Sequence, residues 1–154
     1  MSATSPCPPS ELKRVLVVDD EPVVLVALRE TLRLQGYEVF AVEDPLVALK
    51  LLRETLFSVI VCDQRLSTLT GVEFLAQAKE IQPNSMRILI SAVHSMSLVI
   101  DAINTCEVFR FIVKPWLRDE LLGAVQNAAQ RYERLCRIPI RSVVPDLQRM
   151  AVCS

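Results

Sequence analysis

Four short apolar runs in this chain each end in a residue that can do chemistry. Val15 to Val18 runs into Asp19, Asp20 and Glu21; Phe57 to Cys62 into Asp63; Arg87 to Ile90 into Ser91; and Val108 to Val113 into Lys114-Pro115. A short run rich in β-branched residues reads as a buried strand of a parallel sheet. The carboxyl ends of such strands face the crevice where open α/β sheets bind their ligands. Carboxylates gathered there repel one another by about 4 kcal/mol per pair at about 4 Å with an effective dielectric near 20. A retained proton offsets that cost, or a divalent cation does. Mg²⁺ suits such a place because it takes one or two carboxylates together with waters and phosphate oxygens. An Asp carboxylate is also a covalent acceptor of phosphoryl groups, and an ammonium beside it neutralises charge on the equatorial oxygens during transfer. Phosphoryl chemistry is the reading these residue types favour.

The elements that would position these groups alternate between strand and helix. After the first strand, Pro22 to Gln35 carries apolar residues at Val23, Val26, Ala27, Leu28, Leu32 and Leu34, with Pro22 at the first helical position and Gly36 past the end. Tyr37 to Val42 alternates weakly and is expected as the second strand. Asp44 then caps a second helix that ends near Thr55, with Leu46, Leu49 and Leu52 inward. The strand Phe57 to Cys62 leads through the exposed loop Gln64 to Leu69 into a third helix, where Thr70 and Glu73 form a capping box. In that helix Phe74, Leu75, Ala78 and Ile81 recur at helical spacing before Pro83-Asn84. Ser95 to Thr105 predicts a fourth helix. Leu117 to Arg137 predicts a fifth, with Leu121, Val125, Ala128, Tyr132 and Leu135 in one stripe. Five β-α units of this kind make a parallel sheet with helices on both faces and right-handed crossovers.

The series Asp-Asp, Asp, Ser and Lys at successive strand ends resembles the receiver domain of two-component response regulators. It is carried by VLVVDDEP, by Asp63-x-x-Leu66 with Gly71 eight residues after the Asp, by Ser91 and by Lys114-Pro115-Trp116, over roughly Leu12 to Arg137. The resemblance implies a flavodoxin-like sheet of order 2-1-3-4-5, in which strands one and three are neighbours at the switch point. It implies Asp63 as phosphoacceptor, and Mg²⁺ held by Asp20, Asp63 and the Arg65 carbonyl, with Asp19 acting through water. Lys114 and Ser91 would contact the phosphoryl oxygens, a cis peptide at Pro115 would aim the Lys side chain inward, and Ser91 and Phe111 would form the switch. The implied partners are a histidine kinase or phosphotransfer protein and a downstream output domain or protein. Signalling would pass through the face of helix four, strand five and helix five, which also leaves room for a homodimer. The phrase IDAINTCEVFRFIVKPW is most similar to receivers of transcription activators or cyclic-dinucleotide phosphodiesterases. Ser67 departs from the family, where a Pro is common, and Cys106 stands where Gly is expected before strand five. A pseudo-receiver that keeps the interface and has no phosphate chemistry is the alternative within the same fold.

Each residue also has a blander explanation. An Asp behind a strand is often a turn or cap residue, Lys-Pro is commonly plain loop, and Phe111 is equally ordinary sheet packing. His94, the only histidine, has no triad partner at suggestive spacing and reads as solvent-exposed. Other phosphate-binding schemes fit worse. With Gly36, Gly71 and Gly123 as the only glycines, neither GxGxxG nor a P-loop exists. A haloacid-dehalogenase-like phosphatase would need a second Asp where Arg65 stands.

Composition bounds the rest. The 154 residues, 51% of them hydrophobic, suit one domain with a real core. The expected division is a flexible leader over 1–11, the receiver over 12–137, and a tail or start of a linker over 138–154. A net charge of −1 offers no basic face for nucleic acid. The five cysteines are scattered without metal-ligand spacing, which fits reduced thiols in the cytoplasm. No stretch has the length and hydrophobicity of a membrane span. The expectation is a cytoplasmic protein that contacts neither membrane nor nucleic acid.

Overall fold

The computed structural model describes residues 13–92 and 96–137. The expected exposure of His94 and the nature of the leader and tail fall outside the described residues. Five strands alternate with helices: β1 (Arg14–Val18), α1 (Pro22–Arg33), β2 (Glu38–Val42), α2 (Pro45–Glu54), β3 (Val59–Asp63), α3 (Gly71–Ile81), β4 (Met86–Ser91), α4 (Met96–Asp101), β5 (Arg110–Val113) and α5 (Arg118–Arg137). A π-helical segment, Ala102–Cys106, continues α4. All pairings are parallel, and the strand order is β2-β1-β3-β4-β5. This is the flavodoxin-like arrangement that the resemblance implies.

Alternation along each strand divides the interior in two. Val15, Val17, Val59, Val61, Ile88, Ile90 and Ile112 point to the side covered by α1 and α5. Leu16, Val18, Ile60, Cys62 and Leu89 point to the side covered by α2, α3 and the π turn. The central strands are apolar on both faces because both faces are covered. Register then sets the geometry of the crevice. Val18 pairs with Cys62, Asp63 with Ile90, and Ser91 with Val113, so the residues that follow the apolar runs arrive at one edge together.

Several local signals act as their chemistry requires. The Asp44 carboxylate accepts from the Leu46 amide at 2.9 Å. Thr70 and Glu73 exchange both bonds of the capping box. In α5, Leu121, Val125, Ala128 and Tyr132 are buried and Leu135 packs against their cluster. Other expectations need correction. Helix α1 buries Leu25, Leu28 and Leu32, whereas Val23, Val26 and Leu34 are 80%, 61% and 74% exposed. Its apolar residues occupy more of the circumference than one face can bury, and only the stripe nearest the sheet is covered. Leu46 of α2 likewise faces out. Strand β5 begins at Arg110 rather than Val108, and the expected continuous fourth helix changes its winding at Ala102.

Candidate functional site

Strands β1, β3, β4 and β5 deliver Asp19, Asp63, Ser91 and Lys114 to the carboxyl edge of the sheet. Asp19, Asp63 and Ser91 are all nearly inaccessible, at 2%, 6% and 2% exposure. Asp20 beside them is exposed. One carboxylate oxygen from each of Asp19, Asp20 and Asp63 fits within a sphere of mutual distances below 4.8 Å. The Lys114 ammonium reaches over this group, 2.8 Å from Asp63 Oδ1, 3.6 Å from Asp19 Oδ2 and 3.7 Å from Glu21 Oε1. The peptide bond between Lys114 and Pro115 is cis, as expected.

Backbone amides fix the two buried carboxylates. Asp19 Oδ1 accepts from the Glu21 N–H and Asp63 Oδ2 from the Arg65 N–H, each at 2.9 Å. The loop after Asp63 is closed by Gln64, whose carbonyl accepts from Gly71 N–H at 2.9 Å and whose side-chain oxygen accepts from Val72 N–H at 3.1 Å. Gly71 is needed for this approach. A Cβ there would sit 2.5 Å from the Asp63 carbonyl oxygen and 2.8 Å from both Gln64 Cα and Leu89 Cδ1. Helix α3 can therefore start directly behind Asp63 only because residue 71 has no side chain. The cleft so formed, about 450 Å³, is lined by Asp20, Glu21, Asp63, Gln64, Arg65, Ser91, Ala92 and Lys114.

Charge in the cleft is unbalanced. Burial pushes the Asp19 carboxyl up to about 6; the Glu21 amide and Lys114 oppose this, while the Asp63 and Glu21 carboxylates reinforce it. Burial would lower the Lys114 ammonium, but its hydrogen bond to Asp63 and the surrounding carboxylates outweigh that and raise it. One ammonium thus faces Asp19, Glu21 and Asp63 directly, with Asp20 alongside. A hard dication satisfies such an all-oxygen, acid-rich set far better than a second ammonium would. The donor set therefore fits Mg²⁺, with Asp19, Asp20 and Asp63 as the side chains able to hold it.

The structure gathers every residue of the expected site except Phe111, which lies half-buried on β5, packed against the cluster that contains Leu89 and Cys106. Two contributors were not foreseen. Glu21 contacts Lys114, a role hinted at only by the third acid in the Asp-Asp-Glu run. Gln64 braces α3 against the loop, and nothing in a lone Gln after Asp63 foretells that. The Cys62 thiol, fully buried, donates to the carbonyl of Asp63 at 3.2 Å.

Comparison with known proteins gives the fold and the crevice a family. Residues 15–126 match the family model of the response regulator receiver domain. The chain belongs to that family. This receiver is 40% identical over 116 residues to the hydrogenase transcriptional regulatory protein HoxA of Cupriavidus necator, covering 75% of this chain and 24% of the relative. It thus spans about a quarter of the length of the transcriptional regulators it matches. Among solved structures it resembles a CheY-like receiver from Methanospirillum hungatei JF-1, with a TM-score of 0.76 at 25% identity over 80% of this chain and 98% of the other. It also resembles the response regulator TrrA of Thermotoga maritima, crystallised with Mg²⁺ and BeF, at a TM-score of 0.68 and 28% identity over 75% and 98% of the two chains.

Proposed function

We propose that this receiver accepts a phosphoryl group on Asp63 from a phosphohistidine of a histidine kinase or phosphotransfer protein, with Mg²⁺ in the cleft. The observation that carries this reading is the contact of Lys114 Nζ with Asp63 Oδ1 at 2.8 Å inside a ring of carboxylates. An Asp oxygen attacks phosphorus, the P–N bond of the donor breaks, and the imidazole leaves. The Arg65 amide holds the second Asp63 oxygen, which orients the attacking one before the donor arrives. Lys114 neutralises charge on the transferring group, and the Ser91 hydroxyl offers it a hydrogen bond. Asp20, Asp63 and the Arg65 carbonyl would hold Mg²⁺ directly, with Asp19 acting through water. When bound, the cation supplies the countercharge that lets an anionic donor approach an anionic nucleophile.

The surroundings support partners on two sides. Val23 and Val26 of α1 and Leu117 before α5 are exposed apolar residues on the elements that flank the cleft, a surface suited to the phosphodonor. On the other flank, α4, the edge strand β5 and α5 form the output face, available to an output domain or a second receiver. Ser91 and Phe111 link cleft and face: Ser91 pairs with Val113, two residues from Phe111 on the same strand. The single decisive experiment is incubation with acetyl phosphate and Mg²⁺ followed by intact mass. One added phosphoryl group is expected in the wild type, and none in Asp63→Asn or after chelation. An unchanged wild-type mass would instead make the chain a pseudo-receiver that binds partners without turning over phosphate.

A further inference from the structure

The loop that follows Asp63 takes its shape from its two ends. Residues 65–70 read Arg-Leu-Ser-Thr-Leu-Thr, with neither Pro nor Gly to set the backbone. Leu66 and Leu69 rest on the core below, while Arg65, Ser67, Thr68 and Thr70 are exposed. The ends meet in an antiparallel bridge between Arg65 and Thr70.

Gln64 holds both ends. Its N–H donates to the Ile90 carbonyl at 2.8 Å, which ties residue 64 to β4 just before Ser91. Its carbonyl accepts from Gly71 N–H at 2.9 Å, and its side-chain oxygen accepts from Val72 N–H at 3.1 Å. The first amides of a helix have no partners within the helix. In α3 the capping box serves the amides of Thr70 and Glu73, so those of Gly71 and Val72 depend on Gln64. An N–H at Val72 needs an acceptor, which dictates the end of the Gln64 amide that faces it. A hydrocarbon side chain at this position would leave that amide without its partner.

The bond between Gln64 and Arg65 turns this bracing into control of Asp63. The Gln64 carbonyl and the Arg65 N–H belong to one peptide group, which is planar and turns as a unit. One edge of the plane accepts from the first amide of α3, and the other donates to Asp63 Oδ2 at 2.9 Å. A shift of the helix start therefore tilts the plane and slackens the hold on Asp63. The Gln64 side chain opposes such a shift by fastening the second amide of α3 to a residue that the sheet already holds.

We propose that Gln64 is a positioning residue, whose side chain locks the start of α3 so that the Gln64–Arg65 peptide keeps Asp63 Oδ2 in place. The Arg65 carbonyl, expected to hold Mg²⁺, follows directly on that peptide and is oriented with it. The effect on Mg²⁺ rests on the phosphoacceptor reading; the hold on Asp63 does not.

The test is amide exchange in the full, metal-free chain, comparing Gln64→Leu, which removes the acceptor at similar size, with Gln64→Glu, which keeps it. Gln64→Leu should lower the protection of Arg65 and Val72 by about fivefold or more, and by more than that of Leu75 in the body of α3. Gln64→Glu should keep both within about twofold of wild type. Loss at Val72 with Arg65 unchanged would make Gln64 a helix cap alone and overturn the proposal. Equal losses at Arg65 and Leu75, or in the two variants, would overturn it as well. A second arm measures Mg²⁺ affinity from Trp116 fluorescence, a quantity that lower stability of a still-folded chain does not change. Groups that support metal ligands from behind typically cost about 10–100-fold in affinity when removed, so Gln64→Leu should weaken Mg²⁺ by roughly tenfold. Equal affinity in wild type and Gln64→Leu would refute the link to the metal. A wild type that binds no Mg²⁺ would instead count against the phosphoacceptor reading and leave the Arg65 amide to decide the role of Gln64.

Discussion

The cleft should weaken the fold that carries it, and Asp19 is where this can be measured. Its carboxyl titrates near 6 in the folded chain against 3.8 unperturbed, chiefly because burial disfavours the charged form. A raised carboxylate pKa means that the folded state holds the proton more tightly than the unfolded state does. Stability from this group is therefore greatest below about pH 3.8, falls as pH rises to about 6, and is level beyond. A shift of roughly 2 units corresponds to about 3 kcal/mol at 1.36 kcal/mol per unit. That figure already includes the attraction of Lys114, so nothing more is subtracted for the 3.6 Å contact. Asp19→Asn removes the charge at nearly constant shape and keeps an oxygen for the Glu21 amide. Urea unfolding of both proteins in chelator should give equal stability near pH 4, a difference opening by up to about 1.4 kcal/mol per pH unit, and a variant about 2–3 kcal/mol more stable at pH 7. Titrating groups away from the cleft are common to both chains and cancel. Magnesium should close the gap, since a ligand at 100 times its Kd returns about 2.7 kcal/mol to the protein that binds it. A pH-independent difference, or a less stable Asn variant at pH 7, would refute the account of a cleft strained by its own charge.

Two further perturbations separate the scaffold from the cleft. Gly71→Ala forces a methyl against the Asp63 carbonyl and should cost about 1–3 kcal/mol in urea unfolding, while Gly123→Ala, in open space within α5, should gain about 0.5–1 kcal/mol from helix propensity. Arg87→Met removes a buried guanidinium that donates to the carbonyls of Cys106 at 2.7 Å and Ser85 at 2.6 Å; stability should fall by about 3 kcal/mol, with amide exchange rising around 102–107.

How much of this was legible in the chain depends on how many competing explanations each signal had. Asp63 could be placed because a buried parallel strand must be apolar on both faces, so the first charged residue marks its end. Thr70 with Glu73, Asp44 as a cap and Pro22 at a first helical position could be placed because unsatisfied amides at a helix start accept few solutions. Helix α1 was harder. Val23, Val26 and Leu34 are as apolar as Leu25 and Leu28, and only the position of the sheet decides which of them is covered. Glu21 was obscured by its neighbours, since three successive acids do not reveal which will meet an ammonium from another strand.

The fourth helix was misread for a more instructive reason. Periodicity over Ser95 to Thr105 does describe an α-helix, and it was the backbone that departed from the pattern at Ala102. The departure is local and lies between a firmly anchored end at Cys106 and Glu107 and a connection that begins in the acidic cleft. Burial energy of about 25 cal/mol per Å² favours a straight winding, which would bring Ile103 towards the stripe of Val99 and Cys106. Its opponent is the fixed end at Cys106 and Glu107, held by the Arg87 guanidinium and by Lys79. Local pattern and observed winding thus disagree at one turn, just before β5, as they do for a different reason along α1.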